Sequence, residues 1–278
     1  MSAPTYSDGI LYERGCTVKI TVLTENTACR SDLTAEHGLS LYIESEDHRI
    51  LFDMGRTSAF AENAERLGID LKRVDFAVIS HGHYDHGGGL ARFLEINPQA
   101  PVYVHREAFG AHFHGPEKYI GLDCALRHSG RLILTEDFLE LAPGITLHGG
   151  CCPGEPVESW GLTRLENGQQ IPEDFRHEQY LLVEEGGRRI CFSGCSHRGI
   201  LNITARFRPD VLIGGFHFTK LDPAGEGAAV LSRAARELLA RGAVYYTGHC
   251  TGEAQYEFLK RIMGSKLCAL STGLTVEL

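Results

Sequence analysis

Residues 76–89 read Phe76-Ala-Val-Ile-Ser80-His81-Gly-His83-Tyr-Asp85-His86-Gly-Gly-Gly89. An apolar, β-branched run of strand character feeds straight into three imidazoles and a carboxylate within six positions. These are the side chains that zinc prefers, and they also suit iron and manganese. Without a cation, so many polar groups beside an apolar strand would be left desolvated and unpaired. His81, His83 and Asp85 share one parity and would point the same way from an extended turn. His86 begins the next element. The spacing feeds two adjacent metals, His81 and His83 serving one, Asp85 and His86 the other. The glycines that follow let backbone come close to a bound ligand.

Outward from this stretch, the first third alternates strands and turns. Thr17–Leu23, Leu39–Glu44 and Arg49–Phe52 have period-2 or short apolar patterns, the last two flanking a polar hairpin turn. Ala59–Leu67 has helical periodicity and stops at Gly68. A short helix is expected over Leu90–Leu94. Residues 106–130 mix aromatics, glycines and histidines without a clear period, and we read them as an inserted loop or cap over the site. Strands resume at Ile133-Leu134 and Ile145–Leu147, whereas Gly149–Asp174, with Pro153, Pro156 and Pro172, is expected to be turns. The C-terminal third reads as alternating helices and strands. Leu201–Phe207, Ala228–Ala240 and Gln255–Ile262 are helical, and Val211–Gly214 and Val244–Thr247 are strands. Ala228–Ala240 carries only the apolar stripe of a core-facing helix. No repeat or low-complexity linker marks a boundary, so residues 1–278 read as one domain with its cap near 106–130.

The cluster, with other landmarks, resembles the HxHxDH signature of the metallo-β-lactamase superfamily from about Cys16 to the C-terminus. Asp53, at the end of Arg49–Phe52, stands where that family places an acidic residue. His249, after Val244–Thr247, stands at its last histidine. Cys195, in Gly194-Cys-Ser-His197, replaces the family's metal-bridging aspartate. More narrowly, the segments GCSHRGI, GGFHF and GHCTG are similar to the subgroup named after dihydropterin-ribofuranosylaminobenzene phosphate synthase. The resemblance implies a four-layer αβ/βα sandwich, two sheets face to face with helices outside, whose strand ends converge on one edge.

It also implies roles for the residues there. His81, His83, Asp85 and His86 would be ligands, joined by His249 at the second metal and His197 at the first. The commoner family order has a lone histidine upstream of the aspartate, and His177 is the alternative for that slot. Cys195 would be a thiolate ligand or a small apolar filler. Asp53 would hold a histidine N–H. Asp85 would also steer the nucleophile, and His217 would contact substrate or transfer a proton. Cys250 is read as near the site without ligating. His105, His112, His114, Lys118 and Tyr119 of the cap are candidates for substrate contact, and the Cys151-Cys152 pair is read as structural.

Composition bounds the function. The chain has 278 residues, 43% of them apolar and 23% charged, with 32 glycines and a net charge of −9. This is ordinary for a soluble globular protein, and it argues against nucleic acid, whose binding needs clustered Lys and Arg. An anionic small molecule remains suitable, because bound cations supply positive charge locally. Nine cysteines without a CxxC pair or an evident leader suggest reduced thiols and a cytoplasmic setting. No apolar stretch approaches the ~20 residues that span a bilayer. The expected activity is a dinuclear, zinc-dependent hydrolase of a small anionic metabolite acting through metal-bound hydroxide, with manganese or iron as other metals. The subgroup resemblance implies a different reaction, transfer of a pterinylmethyl group from its diphosphate. A single iron that oxidises a thiol or persulfide is a third possibility, and a non-enzymatic ligand sensor is a fourth.

Overall fold

The computed structural model of the chain describes residues 18–150, 152 and 154–278. Cys16, Thr17, Cys151 and Pro153, named above, lie outside the described residues. The first half contributes β1 (Lys19–Thr24), β2 (Ser40–Glu44), β3 (Arg49–Phe52), α1 (Ala59–Arg66) and β4 (Phe76–Ile79). The single-turn helix α2 (Tyr84–Gly87), α3 (Leu90–Ile96) and β5 (Val102–His105) follow. Next come β6 (His112–His114), β7 (Lys118–Tyr119), β8 (Leu132–Thr135), β9 (Phe138–Ala142) and β10 (Ile145–His148). The hairpin β11 (Leu162–Glu166) and β12 (Gln169–Pro172) precedes β13 (Tyr180–Glu185) and β14 (Arg188–Phe192). The C-terminal part runs α4 (Ile200–Phe207), β15 (Val211–Ile213), α5 (Gly227–Ala240) and β16 (Val244–Thr247). It ends with α6 (Glu253–Met263), β17 (Leu267–Ala269) and β18 (Thr275–Glu277).

Two seven-stranded sheets form the centre, ordered β18-β1-β2-β3-β4-β5-β8 and β17-β16-β15-β14-β13-β10-β9. Both are mixed. Parallel pairing joins β3 to β4, β5 and β8 in one, and β14 to β15, β16 and β17 in the other. The strand sequences are apolar at nearly every position because both faces are buried, and successive residues serve different cores. Ile50, Phe52, Val78, Ile190, Phe192 and Ile213 meet between the sheets. Their neighbours Leu51, Ala77 and Ile79 turn outward to α1 and α3, and Cys191 and Leu212 turn to α4, α5 and α6. The result is the expected four-layer αβ/βα sandwich. Burying each such side chain contributes roughly 1.5–3 kcal/mol.

Phe192 is fully buried, and its ring centroid lies 5.9 Å from that of Phe52 on the opposite sheet. Phe192→Ala is therefore expected to destabilise the protein by about 3–5 kcal/mol. Urea denaturation checks this, and a loss no larger than that of a surface substitution would contradict the inter-sheet placement.

The segment 149–174 differs from the expected run of turns. It contains β11 and β12, and β11 pairs with β6 from the 106–130 stretch, giving a third sheet ordered β12-β11-β6-β7. Two distant segments share this small sheet, so neither shows a strand pattern strong enough to read alone. Among the described residues, no helix is long and apolar enough to cross a membrane.

Candidate metal centre

The carboxyl ends of the parallel strands from both sheets converge on one edge, where the chain must leave each strand abruptly. Asp53 follows β3, His81 follows β4, Cys195 follows β14, His217 follows β15 and His249 follows β16. Asp53, Ser196, His217 and His249 all hold left-handed backbone, with φ of 59°, 56°, 55° and 47°. Such conformations cost about 1–3 kcal/mol each in a non-glycine residue and cluster at functional sites. Gly194 is required by close approach, since a Cβ there would overlap the Ser80 hydroxyl.

His81 lies in a bend and His83 is extended, but α2 begins at Tyr84, so Asp85 and His86 sit on a helical turn. The shared parity expected of His81, His83 and Asp85 thus stops at His83. The His81, His83 and His197 rings come together, with centroids 4.6 to 4.9 Å apart. A ring nitrogen of each lies within 4.8 Å of the others. His81 Nε2, His83 Nε2 and both ring nitrogens of His197 are buried without a hydrogen-bond partner. Unpaired buried imidazole nitrogens aimed at one point cost free energy unless a cation takes their lone pairs.

Asp53 bonds to both Ser80 and His86. Its Oδ1 accepts the Ser80 N–H at 2.7 Å, and its Oδ2 accepts the Ser80 hydroxyl at 2.7 Å and His86 Nδ1–H at 2.6 Å. Because the Ser80 hydroxyl donates to Asp53, it must accept from His81 Nδ1, 2.8 Å away. Both histidines are thereby held with protonated Nδ1 and a free Nε2, the tautomer a metal needs.

The second group lies beside the first. His249 Nδ1 faces Asn26 Oδ1 at 3.0 Å, leaving Nε2 as a lone pair. That Nε2 lies 3.2 Å from His86 Nε2 and 3.4 Å from Asp85 Oδ2. Two imidazole lone pairs facing each other at that distance repel unless a proton or a metal cation sits between them. Cys195 Sγ is 3.1 Å from His86 Nε2 and is buried. It belongs both to a group with His81 and His86 and to one with His249 and Cys250. Burial pushes the Cys195 thiol well above its usual range, an effect that an adjacent divalent cation reverses. The donor set of the two groups thus fits divalent cations.

Burial also pushes His81, His83 and His197 well below the ordinary imidazole range, and each is lowered further by neighbouring histidines. His177 and His217 fall to about 4, mainly through burial. For His86, burial opposes the charge, but the Asp53 carboxylate outweighs it and raises the pKa. In the metal-free protein the unfolded chain therefore binds protons below about 6.5 that most of these folded histidines refuse. Stability is expected to be full above that pH and to decline as pH falls toward about 4, His86 opposing in part. Chemical denaturation of apo protein across this window checks the sign, and a rise in stability on acidification would contradict it.

His177 does not join the first group. Its Nδ1 accepts the N–H of Gly82 at 2.9 Å, and it clusters with His112 and Glu173 behind His83. His114 and Lys118 line the open cavity beside Asp85 and His249, whereas His105, His112 and Tyr119 do not. His217 and Cys250 do line it.

Several supporting residues were not apparent from the sequence. Glu178 is buried and accepts the N–H groups of His197 at 2.7 Å and Arg198 at 3.0 Å, so it holds the turn bearing His197. Glu25 accepts the His249 N–H at 2.5 Å. His37 lies 3.3 Å from Asp85 Oδ2, with its ring centroid 4.6 Å from that of His249. The available signal was position, since Glu25 and Asn26 follow β1 directly and Glu178 lies two residues before β13 begins.

A family model of the metallo-beta-lactamase superfamily matches residues 33–160. The 7,8-dihydropterin-6-methyl-4-(beta-D-ribofuranosyl)-aminobenzene-5'-phosphate synthase of Methanocaldococcus jannaschii is 32% identical, over 84% of this chain and 88% of the relative. A solved structure described as a metal-dependent hydrolase of the beta-lactamase superfamily superposes with a TM-score of 0.80 at 29% identity. It covers 94% of this chain and 99% of the other. Zinc-bound PqqB from Methylobacterium extorquens shares the fold at 12% identity and a TM-score of 0.56, covering 94% of this chain and 100% of its own. With so similar a relative spanning most of both chains, the chain belongs to the metallo-beta-lactamase superfamily and is an enzyme.

Proposed function

We propose that this enzyme transfers a flat, ring-bearing methyl group from an anionic diphosphate ester to an amine acceptor. The name of the Methanocaldococcus jannaschii relative joins a dihydropterin-6-methyl group to a ribofuranosyl-aminobenzene phosphate, and the diphosphate donor is what the subgroup resemblance implies. The observation that carries the reading is the cavity. Its floor is Asp85, Cys195, His197 and His249, and Tyr84, Ile120, Trp160 and Leu162 supply aromatic and apolar surface above them. Lys118 from β7 and Lys220 after β15 also line it. Aromatic surface suits a planar ring, and lysines beside a cation site suit a diphosphate.

His81, His83 and His197 would hold one divalent cation and Asp85, His86 and His249 a second, with Cys195 beside His86; zinc suits this donor set. When bound, such cations supply Lewis acidity toward an anionic leaving group and lower the pKa of water. The chain's own groups do the rest. The cavity wall orients the ring, and the lysines hold the departing diphosphate. His217 lines the cavity, and burial pushes its imidazole down to about 4, so near pH 7 it contacts the substrate as a neutral ring while the acceptor amine's proton passes to water.

Hydrolysis is the second reading, favoured by Asp85. Burial opposes its charge, but the neighbouring His249 and His37 imidazoles outweigh this and hold the carboxyl well below its usual range. An ionised Asp85 at the cavity floor can orient water and accept its proton.

One experiment separates the two. Metal-loaded protein is given a pterinylmethyl diphosphate with and without an aminobenzene acceptor, and released diphosphate is measured. Release that depends on the acceptor, with a ring conjugate formed, supports transfer. Release at the same rate without acceptor supports hydrolysis, and no release in either case defeats both.

A further inference from the structure

We propose that Cys250 joins Cys195 as a second thiolate ligand, making the Asp85–His86–His249 position a sulfur-rich site that selects zinc-like cations over magnesium or manganese. The inference rests on the reading that this position holds a metal. Cys195 Sγ, Cys250 Sγ and a ring nitrogen of His249 all lie within 4.8 Å of one another, and all three residues are buried. A cysteine has one donor atom, so the two sulfurs themselves are that close.

The surroundings are built to admit the second sulfur. A Cβ on Gly215 would overlap Cys250 Sγ, so glycine at the end of β15 leaves the space the sulfur occupies. The Cys250 thiol donates to the Cys195 carbonyl at 3.5 Å and also pairs with the Cys195 thiol, so the two sulfurs already face each other. Both cysteines line the cavity and are reachable through it. Cys195 Sγ is also 3.1 Å from His86 Nε2, which ties the pair to the imidazoles of the same position.

Thiolates are soft donors that favour zinc, cobalt and cadmium, whereas manganese and magnesium favour carboxylate, carbonyl and water. On binding, each thiol forms a sulfur–metal bond and releases its proton to solvent, with no change in oxidation state. This explains why sulfur is tolerated where the superfamily places a carboxylate. A lone thiolate would be a poor substitute for an aspartate, but a thiolate pair completes the Asp85–His86–His249 position with two soft donors.

Cobalt(II) loading tests this without any substrate. The cobalt protein is expected to show thiolate-to-metal charge-transfer absorption in the near ultraviolet. The absorption should fall by about half in Cys250→Ser and vanish when Cys195→Ser is added, as each thiolate contributes its own transition. Cys191→Ser, a buried cysteine in the outer layer under α4 and α5, should leave it unchanged. Should Cys250→Ser not fold, X-ray absorption of the wild-type zinc protein reads the same point through its sulfur shell at about 2.3 Å. A shell fitted by one thiolate per two zincs, or absorption unaltered in Cys250→Ser, overturns the proposal. Cobalt bound with no charge transfer at all removes both cysteines and leaves the histidine–carboxylate site standing. Failure to bind cobalt would instead defeat the metal reading on which the inference rests.

Discussion

His83→Ala is expected to lose the cation held with His81 and His197 and to lower kcat/KM by about 10³-fold. That corresponds to about 4 kcal/mol of transition-state stabilisation. Its ring nitrogen Nε2 is buried and unpartnered, so in the metal-free protein it costs free energy and contributes no hydrogen bond. Removing it should leave apo stability unchanged within about 1 kcal/mol, or raise it. Elemental analysis of metal content, beside apo and holo denaturation, makes the distinction. A ligand lowers holo stability alone, whereas a packing residue lowers both. Full metal content in His83→Ala would dismantle the grouping of His81, His83 and His197.

Asp53→Asn should do the opposite, damaging apo and holo forms alike. Asp53 Oδ2 accepts both the Ser80 hydroxyl and His86 Nδ1–H. An amide –NH₂ in that place meets two donors. If Ser80 turns its hydroxyl away, it becomes a donor toward His81 Nδ1, whose proton then moves to Nε2. One isosteric change therefore removes lone pairs from ligands in both groups. Breaking this buried pair is expected to cost about 3–5 kcal/mol of stability, and metal affinity should fall by about 10–100-fold. Calorimetric unfolding and competition with a chromophoric chelator measure the two effects. Retained affinity in Asp53→Asn would show that the tautomers are set elsewhere.

The contrast between these variants marks how much of the site was legible in advance. Asp53 could be placed as a support because it closes the Arg49–Phe52 strand where the resembled family has an acidic residue, and the structure makes that strand the parallel neighbour of the histidine-bearing one. Glu178 occupies an equally important position under His197, yet it sits in a short link between a turn and β13, where no periodicity singles it out. His37 and Asn26 lie in irregular backbone and gain their roles only from folding against His249, more than two hundred residues away.

The sequence by itself determined the order of strands and helices and the histidine cluster, because both are written in local pattern, and the sandwich followed from the family resemblance that the motifs carry. Unbroken apolar strands require burial on both faces, and polar residues packed against the end of such a strand require a partner. Tertiary structure alone decided how closely the distant donors approach. It placed the His197 ring 4.9 and 4.8 Å from those of His81 and His83 and the His177 ring 6.0 and 5.2 Å from them, Glu178 holding the turn of one while the Nδ1 of the other accepts from Gly82. It also joined 106–130 to β11 and β12 as one sheet above the cavity. Those choices depend on backbone hydrogen bonds and sulfur–nitrogen distances between segments far apart in the chain, and no local spacing encodes them.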